Sequence, residues 1–114
     1  MTTIWHNPKC SKSREALALL SEKNGEVEVF KYLETAPSRS EIEALLNKLG
    51  VSARELMRTK EDLYKELEVA KIEDENGLID VLVEHPNLIE RPILIRGECA
   101  VIGRPVEKVI EFLN

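Results

Sequence analysis

The stretch TTIWHNPKCSKSREALALLSEKNGEVEVF, residues 2–30, decides the fold. It opens on a short β-prone run from Thr2 to Trp5, which Asn7-Pro8 stops. From Ser11 the period changes: Ala16, Leu17, Leu19 and Leu20 recur at helical spacing, and Asn24-Gly25 bounds them. Val27, Val29 and Phe30 then read as a second strand. A strand–helix–strand of this length predicts two parallel strands joined by a right-handed crossover.

Working outward, Ser38 and Glu41 stand at capping-box spacing before Ile42, Leu45, Leu46 and Leu49, an i, i+3, i+4, i+7 stripe that Gly50 ends. Ser52 and Glu55 start another helix in the same way, with Arg58 at its end. Glu61 to Leu67 and Leu78 to Val83 read as further short helices, the last stopped by His85-Pro86. Ile93 to Ile95 and Ala100 to Ile102 read as two strands around Arg96-Gly97-Glu98, a hairpin. Pro105 suits the first residue of a closing helix, with Val106, Val109, Ile110 and Leu113 on its buried face. The order βαβ, helical insert, ββα is that of an α/β thioredoxin-like domain. It predicts a mixed four-stranded sheet and one domain over residues 1–114, with the insertion at about 38–85.

Composition bounds the function. The 114 residues, 43% hydrophobic and 32% charged, describe a globular domain rather than a disordered or membrane-spanning chain. A net charge of −5 argues against a broad nucleic-acid surface but leaves room for a local anion pocket. The first residues lack the apolar core of a signal peptide, and two distant cysteines are no disulfide framework, so the expected compartment is the cytoplasm. The two histidines form no metal-ligand pattern, so no metal is expected.

Chemistry points to Cys10. A cysteine where a strand becomes a helix meets the positive end of the peptide dipoles and unpaired N–H groups, which favour thiolate over thiol. Lys9, Lys12 and Arg14 add positive charge, and His6 lies four residues upstream. Ser13 stands where a C-x-x-C pair would carry its second cysteine, so an outside thiol or Cys99 must resolve any adduct. Cys99, beside the hairpin turn and Glu98, reads as incidental. Trp5 reads as core, and Glu73-Asp74-Glu75 as a solvated helix end.

Three arginines fall at suggestive places. Arg58 ends the Ser52 helix, Arg91 precedes Pro92 at the mouth of the third strand, and Arg104 precedes Pro105. Composition and spacing alone leave open whether they meet. The segment from His6 to Arg14, His-Asn-Pro-Lys-Cys-Ser-Lys-Ser-Arg, resembles the active-site segment of the ArsC family, the glutaredoxin-coupled arsenate reductases and their relatives. The resemblance continues through Tyr32-Leu33-Glu34, Pro37-Ser38, Arg54 to Arg58, Leu88 to Ile93 and Gly103-Arg104-Pro105, in order along nearly the whole chain.

That resemblance implies Cys10 as the catalytic nucleophile and Arg58, Arg91 and Arg104 as oxyanion ligands. It also implies that His6, Asn7, Ser13 and Arg14 support the thiolate, and that Pro92 is a structural cis-proline. The implied activity is reduction of arsenate to arsenite through a Cys10–arsenic adduct that glutathione and glutaredoxin resolve. Glutathione is then a co-substrate, with no bound cofactor, no membrane partner and a monomeric chain expected. Two other readings stay open: a glutathione-linked monothiol oxidoreductase acting on mixed disulfides, and a regulator of the Spx type docking on RNA polymerase. Ser13 in place of a second cysteine weighs against the regulator.

Overall fold

The computed structural model describes residues 2–24 and 26–113. In chain order the elements are β1 (Thr2–Trp5), α1 (Ser11–Asn24), β2 (Val27–Phe30), α2 (Arg39–Leu49), α3 (Ala53–Leu56), α4 (Asp62–Glu66), α5 (Glu75–Glu84), β3 (Ile93–Arg96), β4 (Cys99–Ile102) and α6 (Glu107–Leu113). Short 3₁₀ turns at Val69–Lys71 and Pro86–Leu88 follow α4 and α5. The chain divides into two compact units, an α/β unit of residues 1–35 and 91–114 and a helical unit of residues 36–90.

In the α/β unit the strand order is β2-β1-β3-β4. β1 and β2 are parallel, as the crossover requires, while β1–β3 and β3–β4 are antiparallel. This is the mixed four-stranded sheet expected of a thioredoxin-like fold. Ile4 faces Leu94 across the β1–β3 pair, and both are fully buried with Ala16 and Leu20 of α1 and Val109 of α6. Each such aliphatic side chain contributes roughly 1.5–3 kcal/mol of transfer free energy. Because side chains alternate along a strand, Trp5 leaves by the other face of β1. There it meets Phe30 edge-on at 5.1 Å and stacks on Tyr32 at 6.2 Å, so it is core as read.

The hairpin turn is Gly97-Glu98. Gly97 takes φ +59, the left-handed value that a two-residue hairpin demands at its first turn position. The closing helix starts at Glu107, two residues after Pro105. Its buried stripe runs through Val109, which is buried, and Phe112, which packs on the core, while Ile110, expected inside, is exposed. Gly25, the expected stop of α1, and the side chain of Leu113 lie outside the described residues.

In the helical unit, Ser38 caps α2 as its sequence spacing requires. Its Oγ accepts from Glu41 N–H at 3.2 Å, and Glu41 Oε1 accepts from Ser38 N–H at 2.9 Å. Ile42, Leu45 and Leu46 are buried, and Gly50 closes the helix at φ +69. Glu55 likewise accepts from Ser52 N–H at 3.2 Å, but α3 runs for only four residues. Glu75 of α5 serves one of its free amides, accepting from Ala53 N–H at 2.8 Å. α5 starts earlier than its apolar run suggests because Asp74 caps it, accepting from Gly77 N–H at 2.8 Å. No helix among the described residues is long and apolar enough to cross a membrane.

Candidate active site

The site grows from the turn between β1 and α1. Asn7 shapes it twice: its carbonyl accepts from Cys10 N–H at 3.0 Å and its side chain from Lys9 N–H at 3.0 Å. The Cys10 carbonyl accepts the first helical bond, from Arg14 N–H at 3.0 Å, so Cys10 is the N-cap of α1. An N-cap side chain ordinarily offers an oxygen to the second and third helical amides. Here the sulfur takes that place, and the backbone N–H groups of Ser13 and Lys12 favour its ionised form. The first turn of α1 carries no acidic residue, so the thiolate is the anion that complements the helix terminus.

Two guanidinium groups reach the same atom. Arg104 Nη2 donates to it at 3.7 Å, and Arg91 lies near enough that its guanidinium favours the thiolate. Burial pushes the Cys10 thiol up, but the Ser13 amide, the Arg91 guanidinium and the Lys12 amide outweigh it. They carry the thiol from an ordinary 9.0 down to about 7. Near neutral pH a large share of Cys10 is therefore thiolate. Arg91 Nε is buried without a hydrogen-bond partner among the described residues. Such an unmet donor costs about 1–3 kcal/mol, which an anionic acceptor would relieve.

The neighbours hold this turn rather than touch the sulfur. Ser13 is fully buried, and its Oγ accepts from Asn7 N–H at 3.1 Å and pairs with His6 Nδ1 at 2.7 Å. His6 is also buried. Burial first, then the charges of Lys31 and Arg14, hold its imidazole below the ordinary 6.5, so it is neutral at pH 7. Arg14 donates to the Pro8 carbonyl at 2.9 Å, and Lys12 faces Glu15 at the exposed surface.

The Arg91–Pro92 and Arg104–Pro105 peptides are both cis. The Pro92 carbonyl accepts from Gly103 N–H at 2.8 Å. A Cβ at Gly103 would lie 3.0 Å from Pro92 Cγ and 3.0 Å from Val109 Cγ2, so this approach needs glycine.

Arg58 stands in the helical unit. It does not end a helix: α3 stops at Leu56 because Met57 pairs with Ile89 in an isolated antiparallel bridge. Arg58 N–H donates to the Leu88 carbonyl at 2.7 Å, and its side chain is ion-paired with Glu61 and, at 3.8 Å, with Glu90. Arg54, four residues earlier, is tied to the Tyr64 hydroxyl and the Ile72 carbonyl and braces that unit.

A sequence profile described as the ArsC family matches residues 5–112. The chain belongs to the ArsC family. Across 113 residues it is 53% identical to a protein of Escherichia coli strain K12 named uncharacterized protein YfgD, covering 97% of this chain and 95% of that one. It is 49% identical over 108 residues to a Neisseria meningitidis protein named arsenate reductase, covering 93% and 92%. Among solved structures, one described as arsenate reductase from Vibrio cholerae superimposes with a TM-score of 0.92 at 48% identity, covering 96% of this chain and 95% of that one. That structure shares the thioredoxin-like fold found here.

Sequence reading missed one residue at this site, Lys31, which helps keep His6 neutral. The parallel register holds its signal: Trp5 pairs with Phe30, so the next residues, His6 and Lys31, emerge side by side. Cys99 is free and exposed on β4, opposite Arg96. No group of three or more acidic, histidine or cysteine side chains among the described residues could hold a metal ion.

Proposed function

We propose that this protein reduces arsenate to arsenite, with Cys10 as nucleophile. The observation that carries the reading is the Cys10 sulfur at the head of α1, with Arg104 Nη2 donating to it at 3.7 Å and the Ser13 and Lys12 amides and Arg91 favouring its thiolate. Donors that stabilise a thiolate also suit a tetrahedral dianion, and forked guanidinium groups match two oxygens at once. Relatives named arsenate reductase at 40–49% identity support the substrate.

In the proposed cycle, arsenate is held by Arg91, Arg104 and Arg58. The Cys10 thiolate attacks arsenic, a sulfur–arsenic bond forms, and an oxygen leaves as water after protonation. Glutathione attacks the adduct and a glutaredoxin thiol completes the reduction. Two electrons pass from sulfur to arsenic, which falls from As(V) to As(III), and two thiols end as a disulfide. Ser13 leaves Cys10 without a resolving thiol at the second C-x-x-C position, which suits resolution by an external thiol.

The test is arsenate-dependent NADPH consumption coupled through glutathione, glutaredoxin and glutathione reductase. Wild type should turn over, and Cys10→Ser should fall to background. A Cys10→Ser protein with full activity rules the mechanism out. The monothiol arrangement also favours a second reading, reduction of glutathione mixed disulfides. Turnover of a small mixed disulfide without arsenate turnover would select it.

A further inference from the structure

Arg58 is not idle in the helical unit. Its guanidinium is ion-paired with both Glu61 and Glu90. The side chains are 22%, 35% and 26% exposed in that order, so water and salt screen this cluster less than an open surface pair. One positive charge faces two negative ones, and the cluster is net negative around the very group read as an anion ligand.

The backbone builds the cluster. Leu56 accepts from Glu90 N–H at 2.8 Å and Leu88 from Arg58 N–H at 2.7 Å, so Arg58 and Glu90 flank the Met57–Ile89 bridge. Glu61 is placed by a second constraint: its N–H donates to the Arg58 carbonyl at 3.2 Å, and it is the residue that precedes α4. Both carboxylates reach Arg58 through side chains, and Glu61 is the closer and the more exposed of the two, so it is the stronger competitor and the freer to turn to water.

We propose that Glu61 is a specificity-determining counter-ion that an oxyanion must displace from Arg58. This rests on the reading of Arg58 as an oxyanion ligand. A guanidinium has five N–H donors, and those engaged by a carboxylate are not offered to another acceptor. A ligand gains by exchange only if its charge exceeds that of the one carboxylate it replaces. The arrangement therefore favours doubly charged tetrahedral anions and weakens the hold on singly charged ones.

The test uses inorganic phosphate, followed by backbone amide shifts of Arg58 and its neighbours at low salt. Glu61→Gln should tighten phosphate binding by about three- to ten-fold, because a competing charge is gone while the shape stays. Glu73→Gln, which removes the same charge from an exposed position, should leave binding unchanged. In an Arg58→Gln background the gain from Glu61→Gln should vanish. Binding that is unchanged or weaker in Glu61→Gln overturns the inference, as does a gain that persists without Arg58. Should Arg58→Gln itself leave phosphate binding untouched, or wild type bind no phosphate, the reading of Arg58 falls and takes this inference with it.

Discussion

In the α/β unit an incipient anion, the Cys10 sulfur, sits among donors; in the helical unit a cation, the Arg58 guanidinium, sits among carboxylates. The two are held by different means. Two of the groups that favour the thiolate are backbone amides at a helix terminus, fixed by the turn that Asn7 and Ser13 brace. Arg58 is neutralised by side chains, which exchange partners at little cost. A fixed field suits a nucleophile that must be ionised before substrate arrives. An exchangeable pair suits a group that responds to substrate.

This contrast can be broken by comparing Arg91→Met with Arg58→Met. Each should lower kcat/KM for arsenate by roughly 10- to 100-fold, the worth of one charge-assisted contact. They should part in the pH profile of Cys10 alkylation. In Arg91→Met the midpoint should climb from about 7 towards 9.0, while in Arg58→Met it should stay put. Equal movement in both variants would erase the distinction.

A smaller effect concerns His6. Its folded-state pKa is held below 6.5 by burial and by Lys31 and Arg14, so the unfolded chain binds the proton first. Stability should therefore be fully present above pH 6.5 and decline as pH falls below it. Cys10 acts in the same direction in a higher window, its contribution fading as pH falls from 9.0 through about 7. Urea titrations of wild type and His6→Gln check this, and a slope below pH 6.5 that survives in His6→Gln would assign it elsewhere. Smallest is Ser38→Ala, which opens the capping box of α2 and should cost about 0.5–2 kcal/mol with the Cys10 midpoint unchanged.

Legibility in the sequence also divides along the two units. Helical periodicity with Ser38, Glu41 and Gly50 was enough to place α2, because caps and stops are local chemistry. The shortness of α3 was not legible, since Met57 leaves the helix to pair with Ile89 thirty-two positions on. Ile110 was misplaced because the buried stripe of α6 runs through Val109 and Phe112, one helical turn apart, and leaves the adjoining Ile110 outside. At the site, the nucleophile could be read from a junction, but its main cation could not. Arg91 comes to Cys10 through the antiparallel pairing of Trp5 with Ile93, a register that no local pattern encodes. The family resemblance supplied what spacing could not.

The hydrogen bond from Gly103 to Pro92 has a mechanical corollary. Each partner is the immediate chain neighbour of a sulfur-facing arginine, Arg104 on one side and Arg91 on the other. The jaws of this calliper are riveted at the root, the spacing of their backbones set by that bond and by the missing methyl group at Gly103. An incoming ion finds that gauge already cut to size.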